Sequence, residues 1–159
     1  HLGSHIRMIF EHKQTVQYQI QEMLCIENCL ESSAIQDELA VYNALVPNGS
    51  NLKATMMIEY PDVAERAEAL SRLIGVEKSI YFQVDGHDKV CPICNEDLER
   101  ETDVKTSAVH FMRFEFDQNM IADFVSGSDV KVGSAHPSYD YETSLDSQSQ
   151  EALSEDFNS

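Results

Sequence analysis

VHFMRFEF, residues 109 to 116, decides how the rest of the chain is read. Alternation puts His110, Met112, Phe114 and Phe116 on one face with Ala108, and Val109, Phe111, Arg113 and Glu115 on the other. Large apolar groups on both faces make this the longest strand candidate of the chain. That strand nevertheless carries a histidine and an arginine, in a chain with only 6 His and 11 Lys+Arg. On a regular strand the two point to opposite sides, one supporting the core and the other a separate surface unless a bulge re-aims the chain. If alternation holds throughout, His110 is the buried one and Arg113 lies on the opposite face.

The same period recurs on either side. "HIRMIFEH" sets Ile6, Met8 and Phe10 against Arg7, Ile9 and Glu11, and "LKATMMIEY" sets Leu52, Ala54, Met56 and Ile58 against Lys53, Thr55, Met57 and Glu59. Between them "TVQYQIQEMLCIENCLE" has a helical period, with Thr15 as the expected N-cap and Val16, Ile20, Met23, Leu24 and Leu30 on one face. A second helix is expected over "AIQDELAVYNALV", ending at Pro47 and the turn "PNGSN". "PDVAERAEALSRLIG" starts at a proline, has acids in its first turn and Arg72 in its last, and stops at Gly75, so it predicts a third helix. "SIYFQV" and "DKVCPI" flank "DGHD" as a hairpin, "QNMIADFVSG" is a short helix ending at Gly127, and "DVKVG" is a last strand. Strands and helices interleave irregularly, without a phosphate-loop or dinucleotide glycine fingerprint. The expected fold is therefore α+β, a single domain over residues 1–137 with a mainly antiparallel sheet packed by three or four helices.

After Pro137 the chain holds six acids and no Lys or Arg, a composition that predicts a disordered acidic tail over residues 138–159. The whole chain of 159 residues has 28 Asp+Glu against 11 Lys+Arg, a net charge of −17. Such a surface repels phosphate backbones and anionic membranes, so nucleic acid and membrane are not expected partners. The acids are spread along the chain rather than along one face, which argues against mimicry of DNA. No run approaches the roughly 18 apolar residues of a membrane span, and a cytoplasmic protein is the expectation.

Chemistry has few places to sit. On the first helix Glu27 projects roughly 20° from Val16, inside the apolar stripe, where a buried carboxylate needs a partner or becomes an acid or base with a raised pKa. Near the helix end the same side chain could instead reach water. His110 is either a hydrogen-bonded core histidine or a base. Lys53 follows a polar turn whose N–H groups could hold an anion, or it simply faces solvent. The four cysteines pair as Cys25/Cys29 and Cys91/Cys94. "CPIC" has the spacing of a zinc knuckle or a redox dithiol, but it lacks a glycine turn, and Cys25/Cys29 lie opposite the apolar stripe. Reduced thiols, a dithiol switch and a zinc site through Cys91 and Cys94 are the alternatives.

At "TVQYQIQEML", "YNALVPNGSNLKATMMIEYPD", "DLERETDVKTSAVHFMRFEF" and "HPSY" the chain resembles the bacterial domain-of-unknown-function 3501 family, across most of residues 1 to 141. Genes of that family often neighbour rubrerythrin and an iron–sulfur oxidoreductase, so the resemblance implies a peroxide or redox setting. It also implies a further N-terminal segment before "LGSHIRMIFE", with Leu2 onward native, although "HLGSH" on its own could be an expression remnant. Glu27, Lys53, Lys105, His110 and Arg113 stand where the family pattern places such residues. The cysteines of "CPIC" depart from the pattern, and so does the region of Cys25, where the family has a basic residue. The leading expectation is a binding or accessory protein of a redox-stress system, recognising an anionic small molecule or a redox partner protein through Lys53, Lys105 and Arg113. A small enzyme with Glu27 or His110 as general base is the rival, and a zinc-dependent interaction module is the third possibility. A closed pocket around His110 would favour the enzyme, and an open apolar patch the accessory role.

Overall fold

The computed structural model describes residues 1–26, 46–96, 102 and 104–158. It is an α+β structure with two antiparallel sheets. One sheet has four strands in the order β1 (Ile6–Phe10), β2 (Asn51–Ile58), β5 (Val109–Glu115) and β4 (Ile93–Cys94). The other has three, β3 (Ile80–Val84), β6 (Val130–His136) and β7 (Tyr139–Ser144). The helices among the described residues are α1 (Lys13–Ile26), α2 (Val63–Arg72), α3 (Gln118–Ser126) and α4 (Ser147–Ser154), with 3-10 turns at Val76–Ser79 and Glu155–Asn158. The second expected helix, "AIQDELAVYNALV", lies almost wholly outside the described residues, as do Glu27 and Cys29.

The alternation of the central strands is what closes the core. Leu52, Ala54, Met56 and Ile58 of β2 are buried, and so are His110, Met112 and Phe114 of β5, while the intervening residues are at least partly exposed. The inward face meets β3 through aromatic rings. Phe82 lies 4.8 Å from Phe114 and 5.8 Å from Phe116, centroid to centroid and edge to face, the arrangement that ring quadrupoles favour. On the far side of β3, Tyr81 lies flat against Gly133 of β6, where any Cβ would stand within 2.4 Å of the ring. Glycine is required at that crossing.

Local signals set the element ends. Asp62 caps α2 by accepting from the N–H groups of Ala64 and Glu65 at 2.9 Å, and Asp117 caps α3 in the same way. α1 starts differently from expectation. The His12 carbonyl accepts from Val16 N at 3.0 Å, and Thr15 Oγ1 accepts from His12 N at 3.0 Å. His12 is thus the cap residue, and Thr15 reaches back to it from the first turn, as in half of a capping box. The "DGHD" hairpin is reduced to one bridge between Phe82 and Val90, after which the chain crosses to the other sheet as β4.

The expected disordered tail is a correction. Residues 139–158 form β7, α4 and the last 3-10 turn, and they bury Tyr139, Leu153 and Phe157. β6 and β7 are joined by the two residues Pro137 and Ser138, with His136 paired to Tyr139. The Tyr139 hydroxyl accepts from His5 N at 2.9 Å and Ile6 N at 3.2 Å, and donates to Leu2 O at 2.8 Å. Gln150 Nε2 donates at 2.8 Å to the carbonyls of Phe124 and Ser128, satisfying groups at the end of α3. Phe157 closes the aromatic cluster, 5.3 Å from Phe116 and 5.2 Å from Phe124. Average composition predicted disorder because acids separate the few apolar anchors. The burial is done by those anchors together with Asp156.

Candidate functional site

His110 is wholly buried on β5. Its Nε2 donates to the Ser107 carbonyl at 3.0 Å and lies 3.0 Å from Thr106 Oγ1, while Nδ1 accepts from the Asn95 side-chain amide at 3.1 Å. Both ring nitrogens are therefore held by protein groups. A general base needs a lone pair facing its substrate, so this geometry suits a structural histidine. Asn95 reaches it from a left-handed backbone position, φ 53°, at the end of β4, a conformation asparagine tolerates better than most residues.

Arg113 and Lys53 sit directly opposite one another across β5 and β2, on the outer face of the four-stranded sheet. The arginine is engaged. Its Nε and Nη2 donate to the two oxygens of Glu96 at 2.9 and 2.7 Å, and Nη1 donates to Glu115 Oε1. Hydrogen bonds from Arg113 hold the Glu96 carboxyl below its ordinary range, and hydrogen bonding to Glu96 raises the guanidinium. Burial pushes Glu115 up, but the Asn51 amide and Arg113 hold it lower on balance. Burial and then the neighbouring Arg113 lower Lys53. Among the described residues two cations and two carboxylates balance here, so they offer no net positive charge to an anion. Lys105 is not brought to it. Lys105 lies in the loop before β5, with its carbonyl accepting from Thr102 N at 2.9 Å. The adjoining Ala108 bonds Ile58, five residues and about 16 Å along the strand from Lys53.

Cys25 and Cys91 are exposed, and Cys94 is partly buried with its Sγ 3.5 Å from the Glu77 carbonyl. Among the described residues no three His, Cys, Asp or Glu side chains are placed to hold a metal ion. None of the described helices is long and apolar enough to cross a membrane.

A different arrangement, unforeseen in the sequence, lies where the edge strands of the two sheets meet. A cleft of about 310 Å³ opens between β1 and β7 and is roofed by α4. Leu2, Met8, Phe10, Val132, Leu145 and Leu153 make its apolar lining, and His1, His12, Thr143 and Ser149 its polar part. Ser149 is committed elsewhere, since its Oγ donates to the capping carboxylate of Asp146 at 3.0 Å. His12 is held on two sides. Its backbone is fixed as the cap of α1, and its Nδ1 lies 3.3 and 3.2 Å from the two oxygens of Asp156. Asp156 comes from the last 3-10 turn and is only 4% exposed. Burial pushes its carboxyl up, and the hydrogen bond from His12 partly offsets that. The pair spans 144 residues of sequence, so no local motif could announce it.

Comparison with solved structures finds a protein of Burkholderia pseudomallei K96243, described as a novel protein of unknown function, whose crystal structure was determined at 1.90 Å resolution. The two chains are 44% identical and superpose with a TM-score of 0.86, over 98% of this chain and 81% of the other. No curated protein matches. The matching family model covers residues 1–157, and the chain belongs to that family, described as protein of unknown function (DUF3501).

Proposed function

We propose that the chain is a binding protein whose small-molecule ligand occupies the cleft between β1, β7 and α4. The observation that supports this most is the combination of an apolar lining with a few polar groups, among them His12, which is oriented by a buried carboxylate. Binding sites for small organic molecules have that composition, and a volume of about 310 Å³ is at the small end of their range. This reading keeps the binding or accessory role expected from the sequence and moves its place away from Lys53 and Arg113, whose charges Glu96 and Glu115 already balance. The redox-stress setting stays with the family resemblance, as the context in which such a ligand would be sensed.

The test is a fragment screen by amide chemical-shift mapping on the protein and on Ala152→Trp. Ala152 is an exposed α4 residue on the cleft rim, so a large ring there fills the space without entering the core. Fragments should shift residues of β1, β7 and α4 in the parent protein and lose most of that effect in the variant. Shifts that persist unchanged in Ala152→Trp, or that gather instead around Lys53 and Arg113, would refute the assignment.

A further inference from the structure

The chemistry of His12 narrows what the cleft can hold. With the Asp156 carboxylate ionised, Nδ1 carries the ring proton and donates to it. That leaves Nε2 as the acceptor of the ring, and among the described residues no protein group is bonded to it. The side chain is 37% exposed, so Nε2 is within reach of a guest. Behind it, a carboxylate that is almost fully buried fixes the orientation and tautomer of the imidazole, as an acidic partner does for the histidine of a hydrolase.

The lining decides the charge of the guest. Met8, Phe10, Leu145 and Leu153 would strip water from any ion lying against them, and an unpaired ion in such surroundings is strongly disfavoured. A neutral guest with one donor avoids that cost. Resting on the cleft being the ligand site, we infer that it takes a neutral apolar molecule bearing a single hydroxyl, a phenol or short alcohol, whose O–H donates to Nε2 of His12. The hydroxyl is read by the imidazole, the body of the guest by Phe10, Met8 and Leu153, and Asp156 is a positioning residue that never touches the guest.

The experiment titrates the full chain with four molecules of one shape, para-cresol, toluene, para-toluate and para-methylbenzylammonium, following amide shifts of β1, β7 and α4. Para-cresol should bind about tenfold more tightly than toluene and than either ion, the worth of one hydrogen bond to a well-placed acceptor. His12→Phe keeps the ring shape without the nitrogen and should bring para-cresol down to the level of toluene. Asp156→Asn keeps a bond to Nδ1 without the charge. It should give an intermediate preference, and it serves as the readout if His12→Phe does not fold. Equal binding of para-cresol and toluene would overturn the hydroxyl assignment and leave the cleft as an apolar site. Tighter binding of either ion would overturn it in favour of a charged ligand. If none of the four shifts the cleft residues, both the hydroxyl assignment and the cleft as ligand site fall together.

Discussion

Strand β5 and the segment 139–157 meet in one aromatic cluster, where Phe116 at the end of the first lies against Phe157 of the second. They arrive there by different means. β5 buries every second residue, and its partners on β2 run in unbroken register from Asn51↔Glu115 to Met57↔Val109. The later segment buries Tyr139, Leu153 and Phe157, with long solvated stretches between them. Tyr139 acts through its hydroxyl as much as its ring, since that one oxygen ties down the backbone at Leu2, His5 and Ile6. A periodic element declares itself in any short window. A segment that docks by a few spaced anchors does not, because its average polarity matches that of a disordered chain.

The hardest test of this comparison is to delete residues 139–159. If the anchors hold as they stand, the loss of three large buried side chains removes about 5 to 9 kcal/mol, of the same order as the whole stability of a typical domain. No cooperative melting transition should then remain by calorimetry. A truncated chain that melts within a degree or two of the intact one would show that the segment is a passenger, and the distinction between periodic and anchored docking would collapse.

A milder test lies within β5. His110→Ala opens a cavity and strips partners from Asn95 and Thr106, so it should lower stability by about 2 to 4 kcal/mol in urea titrations without moving any ligand titration at the cleft. Altered cleft binding would mean that His110 is coupled to His12, against their separate hydrogen-bond networks.

The smallest effect belongs to the outer face of the same strand. Arg113→Ala breaks exposed ion pairs and should cost under about 1 kcal/mol at neutral pH after solvent screening. The sign of its pH dependence is set by Glu96, which Arg113 holds below its ordinary value of 4.5. A depressed folded-state pKa adds stability above the unfolded value and loses it as pH falls through the folded one. The gap between parent and variant should therefore narrow on acidification below about pH 4.5. A gap that widens there would contradict the pairing with Glu96.

Much of the fold was legible because its central parts are periodic. The faces of β2 and β5, the opposed directions of His110 and Arg113, and the start and stop of α2 all follow from alternation, helical spacing and caps. What the sequence withheld were the partners. Arg113 could be placed on an outer face, but Glu96 and Glu115 as its balancing carboxylates appear only once β4 and β5 are paired. His12 looked like the end of a strand, and Asp156 like one more acid of a solvated tail. Their meeting depends on a turn and a helix that no short-range signal marked.

The tyrosine clamp sets a schedule for the growing polypeptide. Strand β1 is made well before β7, yet the hydroxyl that fastens its leading end belongs to residue 139, and the ring that seals the aromatic cluster belongs to residue 157. Early in synthesis β1 has neither. Until the ribosome has released the segment through Phe157, the nascent chain carries an unsealed apolar surface, the state in which new proteins are most exposed to aggregation and most dependent on chaperones.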